Sequence, residues 1–228
     1  MPERATSCPT RAASLAANCE ELAEGNRLTR LCVGGERQTS VRTAFDHSDA
    51  VLKPVVARLF ALLGLHPGRD FTAEVAVALL GAAPAAAKRL LEQFVTARLV
   101  QRTAAGRFQF HAPLRLSAAV RASADPDRAE AWQRLCPWRL AVTDAATAFD
   151  YSGRAQLSRP HPASDRFADR EQASAWLDEE RVNLVAVICH AAQAGPRVFA
   201  WQLTDQLRMC LYRCRHQREW EAAATAAL

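Results

Sequence analysis

The feature that most constrains this chain is the stretch from Leu52 to Ala124, where three runs of helical periodicity are followed by two short alternating runs and then by another helix. In the first run, Val55, Val56, Leu59, Phe60, Leu62 and Leu63 recur at helical spacing, and Gly64-Leu65-His66-Pro67-Gly68 stops it because two glycines and a proline cannot continue a helix. The second, Asp70 to Leu80, has Thr72 as its N-cap, carries Val75, Val77, Leu79 and Leu80, and ends at Gly81. The third starts at Pro84, a residue tolerated in a first helical turn, and carries Leu90, Leu91, Phe94, Val95 and Leu99. Leu99 to Arg102 and Arg107 to His111 then read as two strands joined through Thr103-Ala104-Ala105-Gly106, since Phe108 and Phe110 alternate with Arg107 and Gln109. Pro113 to Ala124 follows as a helix with Leu114, Leu116 and Val120 on one side. Three helices, a hairpin and a further helix are the layout of a winged-helix module, with the hairpin as its wing.

The rest of the chain supplies helices. Ala129 to Phe149 carries Trp132, Leu135, Trp138, Leu140 and Val142, and Pro137 inside it predicts a kink near Arg134. Ser152 to Asp165, with Gly153, Pro160 and Pro162, reads as a linker. Beyond Asp169, Ala173, Trp176, Leu177, Val182, Leu184, Val185, Val187 and Ile188 describe one helical stretch, and the acidic run Asp178-Glu179-Glu180 reads as a helix start that complements the macrodipole. Gly195-Pro196 turns the chain into a second helix through Phe199, Trp201, Leu203, Leu207 and Leu211, and Arg215 to Leu228 begins a third. Two helices joined by a tight turn form a hairpin whose outer face needs a further unit to cover it, as in arrays of stacked repeats. Upstream, 1–11 reads as a disordered lead-in, and the short apolar pieces as far as residue 48 are too weak to form a core alone. The expected fold class is therefore mainly α, with a small β-hairpin. Its divisions are 1–48, an N-terminal helical remnant, 49–124, the winged helix, 125–168, a long helix and linker, and 169–228, the start of the repeats.

Composition excludes several classes. With 228 residues, half of them hydrophobic, the chain can bury a sizeable core. The net charge of +5 is spread along the sequence, so it describes a solvated surface better than a nucleic-acid tract. Seven cysteines behind a polar, leaderless start fit reduced thiols in the cytoplasm, and no apolar run reaches membrane-spanning length. No G-x-x-x-x-G-K-[ST] loop is present; Gly34-Gly35-Glu36-Arg37-Gln38-Thr39-Ser40 has neither the spacing nor the lysine. Cys210, Cys214 and His216, with Cys189-His190, place thiols and imidazoles at helical spacing, yet not at that of a recognised zinc site, so no metal is expected. Arg89, Arg98, Arg102 and Arg107 gather on the third helix and the wing and would serve DNA contact, against which stands the alanine-rich face Ala85, Ala86 and Ala87.

Three motifs are more specific. Val56-Ala57-Arg58-Leu59-Phe60-Ala61-Leu62-Leu63-Gly64-Leu65-His66-Pro67-Gly68-Arg69-Asp70-Phe71 resembles the first winged-helix segment of antibiotic regulatory protein (SARP) type regulators, members of the STAND class with an NB-ARC nucleotide-binding core. Gly106-Arg107-Phe108-Gln109-Phe110-His111, followed by Leu114-Arg115, resembles their wing strand and the motif after it. Ala175-Trp176-Leu177-Asp178-Glu179-Glu180-Arg181-Val182-Asn183-Leu184 resembles the entry to their tetratricopeptide-like region, and Ala200-Trp201-Gln202-Leu203 the helix beyond. The resemblance implies that full-length relatives bind ADP or ATP with Mg²⁺ and that His111 is the residue sensing the nucleotide's β-phosphate, although Ala112 stands where the family has aspartate. It also implies that this chain, without a phosphate loop, is a truncated, non-enzymatic part of a transcriptional regulator that takes no cofactor itself. Its partners would be other proteins or the remaining domains of such a regulator, with a stand-alone winged-helix DNA-binding regulator as the alternative.

Overall fold

The computed structural model describes residues 54–103, 106–149 and 166–227. The expectations for 1–48, for the linker Ser152 to Asp165 and for the hairpin residues Ala104-Ala105 lie outside them. The described elements run α1 (Pro54–Leu63), α2 (Ala73–Leu80), α3 (Pro84–Thr96), β1 (Val100–Arg102), β2 (Phe108–Phe110), α4 (Ala112–Ala124), α5 (Arg128–Thr147), α6 (Arg170–Ala194), α7 (Arg197–Arg213) and α8 (Gln217–Ala227). The fold is mainly α with one two-stranded antiparallel hairpin, as the sequence patterning implies.

The punctuation residues act where expected. Gly81 ends α2 in the left-handed conformation, its N–H bonding Val77 O, and Pro84 opens α3. Thr72 is the N-cap of α2, but its side chain makes no capping hydrogen bond. α5 runs through Pro137 as one helix. At the end of α3, Arg98 takes the left-handed position usually given to glycine, while Leu99 N–H bonds Phe94 O and Arg98 N–H bonds Val95 O, the paired bonds of a Schellman turn.

In the hairpin, Val100 faces Phe110 and Arg102 faces Phe108. Phe71 adds a single further bridge, exchanging two 2.8 Å backbone hydrogen bonds with Phe108. Phe71 and Phe108 stack at 6.0 Å, and Phe60 meets Phe94 and Phe110 edge-on. These rings join Leu59, Leu62, Leu63, Val75, Leu79, Leu91, Ala131 and Leu135 in a first core. A second core holds Leu140, Phe167, Leu177, Leu184, Ile188, Phe199, Leu203, Leu207 and Leu211. α5 feeds both: Trp132 and Trp138 pack against each core, and the Trp132 indole N–H donates to Gly195 O at 3.0 Å.

Three readings of helix faces are corrected by this packing. α4 turns Ala118 and Ala122 inward and leaves Leu116 and Val120 on the outside. The cause is a close approach: a Cβ built on Gly64 would lie 2.2 Å from the Ala118 carbonyl oxygen, so only small side chains fit where α1 ends against α4. Ala87 is likewise fully buried, so the outward face of α3 comprises Ala85, Lys88, Arg89, Glu92 and Gln93 instead of three alanines. Val55 and Val182, counted with the apolar stripes of their helices, are exposed. Gly64→Ala is expected to lower stability by about 1–3 kcal/mol, the usual cost of overpacking. Urea denaturation checks this, and an unchanged midpoint would show that α4 can move aside.

Candidate functional site

Among the described residues, the largest concentration of buried charge lies where the loop after α1, the start of β2, α5 and α6 come together. The Phe71 to Phe108 bridge brings the residues preceding each partner, Asp70 and Arg107, into contact. Arg107 Nε donates to Asp70 Oδ1 at 2.6 Å, and its Nη1 lies 2.6 Å from Glu180 Oε1. The other Glu180 oxygen accepts from Arg139 Nη1 at 2.7 Å. Asn183, one turn along α6, donates to Asp70 Oδ1 at 3.0 Å and accepts the Arg69 backbone N–H at 2.9 Å. The result is a continuous chain of contacts, Asn183 to Asp70 to Arg107 to Glu180 to Arg139. Two carboxylates balance two guanidiniums, and Glu180 and Arg139 are essentially inaccessible to water.

Local structure holds the loop open for this contact. A Cβ on Gly68 would lie 2.4 Å from His66 Nε2 and 2.6 Å from Asn183 Oδ1, so glycine permits the approach of α6. Arg115 of α4 donates to Pro67 O at 2.8 Å and Arg69 O at 3.2 Å, tying the same loop from the other side. His66 donates through Nε2 to Asp70 O at 3.0 Å, and its Nδ1 has no partner among the described residues.

Electrostatics fix the ionisation states. Burial alone would push the Glu180 carboxyl up, but the Arg139 and Arg107 guanidiniums outweigh it and hold the group below the usual glutamate range. Asp70 is also held low, burial being outweighed by its hydrogen bonds from Asn183 and Arg107 and by Arg107's charge. Arg107 is raised, because Glu180 and Asp70 more than offset its burial. His66 is lowered to about 3, first by burial and then by the charge of Arg139, and so stays neutral. Carboxylates held ionised in this way are poor proton donors near neutrality. What the arrangement does well is fasten α6 to the loop and the hairpin.

Several expectations meet this geometry. Arg107 is buried within the junction, with its guanidinium turned to Asp70 and Glu180, so it is not part of an outer basic surface. Arg89, Arg98 and Arg102 are exposed; Arg102 pairs with Glu92 of α3 and lies over the Phe108 ring. His111 is exposed and occupies the N-cap position of α4 without a side-chain capping bond. The acidic run Asp178-Glu179-Glu180 is not a helix start. α6 begins at Arg170 because Asp169 Oδ1 caps it by accepting the Gln172 N–H at 2.8 Å, while Gln172 Oε1 accepts the N–H of Ala168, the residue before the cap, at 2.8 Å. Of the thiols and imidazoles, Cys210 is in the second core and His190 sits edge-on to Trp132 at 5.0 Å. Cys214 and His216 meet Asp178 at the turn between α7 and α8.

Charge counting did not single out Asp70, Arg139, Glu180 or Asn183. A usable signal was nevertheless present: the three quoted motifs contain Asp70, Arg107 and Arg115, and Glu180 with Asn183, and the fold brings all of them to this junction.

No family model matches the chain, and no solved structure matches it. Two curated relatives do. Regulatory protein AfsR of Streptomyces griseus is 34% identical over 179 residues, which cover 75% of this chain and 18% of that protein. Regulatory protein AfsR of Streptomyces coelicolor is 30% identical over 179 residues, 74% of this chain and 18% of that protein. The chain thus spans less than a fifth of the length of the relatives it matches.

Proposed function

We propose that this chain is a non-enzymatic regulatory segment of a SARP-like, STAND-type transcriptional regulator, acting through protein contacts. In this reading 49–124 is the winged helix and 169–228 the opening of a tetratricopeptide-like array. The observation that carries the reading is the junction itself: the motifs that resemble those of such regulators supply the buried Asp70, Arg107, Glu180 and Asn183, which fasten the hairpin-bearing part to α6. In this reading the buried charge serves to fix one arrangement of the two parts, which suits a segment that transmits position. That both curated relatives are named regulatory proteins agrees with this. His111, exposed at the start of α4, would be the residue nearest a nucleotide held by other domains of the regulator.

Among the described residues no helix is long and apolar enough to cross a membrane, consistent with contacts made in an aqueous phase. On the outer face of α3, Glu92 pairs with Arg102 and so interrupts the basic surface that duplex contact would use. The test is a pair of titrations. The chain is expected to bind, saturably, the Streptomyces griseus relative from which the matching 179 residues have been deleted. It is expected to bind neither ADP nor nonspecific duplex at low salt. Duplex binding whose logarithmic affinity falls linearly with the logarithm of salt concentration would favour the DNA-binding regulator instead.

A further inference from the structure

At the corner between α7 and α8, three groups of different chemistry converge: the carboxylate of Asp178 from α6, the thiol of Cys214 at the end of α7, and the imidazole of His216 from the turn. Their ligating atoms lie within 4.8 Å of one another. The corner is shaped by Arg215, which adopts φ 56° so that His216 N–H can bond Leu211 O at 2.9 Å, turning the histidine back toward α6. Beside the three groups is a shallow depression of about 140 Å³ lined by Ser174, Asp178, Cys210, Arg213 and Cys214. We propose that Asp178, Cys214 and His216 bind a zinc ion, with the fourth position open to solvent over that depression.

The donor set argues for zinc over magnesium or calcium, because thiolate and imidazole are borderline-soft ligands whereas the harder ions take oxygen. Zinc bonds of about 2.0–2.3 Å place tetrahedral ligands under about 4 Å apart, so side-chain rotations of roughly an ångström close the site. Carboxylate and thiolate together neutralise the dication. The competitor is Arg181, whose guanidinium contacts both ring nitrogens of His216 and also lies 3.5 Å from Glu219. Metal binding releases Arg181 from the imidazole and leaves it paired with Glu219, so the same guanidinium sets the affinity. Arg213 at the rim adds a second positive charge that weakens binding. Occupied, the site ties α6, α7 and α8 together at one corner.

The test is titration of the full chain, freed of metal by a chelator, with Co²⁺ as a spectroscopic stand-in, followed by displacement with Zn²⁺. A thiolate-to-cobalt charge-transfer band and tetrahedral visible bands are expected, both abolished by Zn²⁺. Cys214→Ser should remove the charge-transfer band, and Asp178→Ala and His216→Ala should each weaken binding about tenfold or more. Arg181→Gln should tighten it, an effect that a merely structural corner would not give. All four side chains are exposed or half-buried, and circular dichroism verifies that each variant is folded. Absence of the band in the unaltered chain, or its persistence in Cys214→Ser through the other cysteines, overturns the proposal.

Discussion

Glu180→Gln is expected to lower the free energy of unfolding by about 3–5 kcal/mol, the range found when one member of a buried ion pair is removed. The substitution keeps the shape of the side chain and discards its charge. Arg107 and Arg139, one on each carboxylate oxygen, then remain as two buried cations with only Asp70 to balance them. Small domains are typically stable by roughly 5–15 kcal/mol, so the variant should unfold at a much lower urea concentration. Glu179→Gln is the matched control: its neighbour is exposed on the same helix, and a change within about 0.5 kcal/mol is expected. Replacing Arg139 and Glu180 together by Met should be far milder than Glu180→Gln, because the buried charges that remain, Arg107 and Asp70, still pair with each other. A loss from Glu180→Gln below about 1 kcal/mol, the ordinary size for an exposed ion pair, would show that the junction is wetter than the geometry implies.

The second large effect is on pH. In the unfolded chain His66 takes up a proton as pH falls below 6.5, whereas in the folded chain it resists until about 3. The unfolded state therefore binds more protons across that window, and stability falls as pH falls, by up to about 1.4 kcal/mol per pH unit. Between pH 7 and 5 the loss from His66 should reach roughly 2 kcal/mol. Glu180 and Asp70, both held low when folded, contribute stability that is present above their ordinary values of 4.5 and 3.8 and is lost as pH falls through their folded values. Urea midpoints measured from pH 7 to 3 should thus decline in two overlapping stages. His66→Gln should flatten the first and spare the second, with a residual slope from His190, which burial also holds below its ordinary value. An unchanged slope in His66→Gln would mean that the imidazole is solvated in the folded protein.

Much of the architecture was legible because it depends on local chemistry. Gly81 and Pro84 punctuate α2 and α3, and the alternation of Phe108 and Phe110 marks a strand, whatever lies elsewhere in the chain. The misread faces share a cause, since periodicity ranks side chains by hydrophobicity and is blind to how closely two backbones approach. At Gly64 the approach admits alanine and refuses leucine, so Ala118 is inside and Leu116 outside. The junction was hidden for a different reason. Glu180 is 73 positions from Arg107 and 41 from Arg139, and no local pattern names partners that far away along the chain. Its inward position follows from helical spacing, because Glu180 shares a face of α6 with the buried Leu177, three residues before it, and Leu184, four residues after.

The sharing of α5 between two interiors has a mechanical consequence. A rod embedded along its length in two separate hydrophobic masses transmits torque: loosening either mass frees one flank of the rod and relaxes its grip on the other. Trp132, anchored to the turn holding Gly195, and Leu135 of the first core lie within one turn of each other on this helix. Heating should melt the two interiors together, in one transition instead of two.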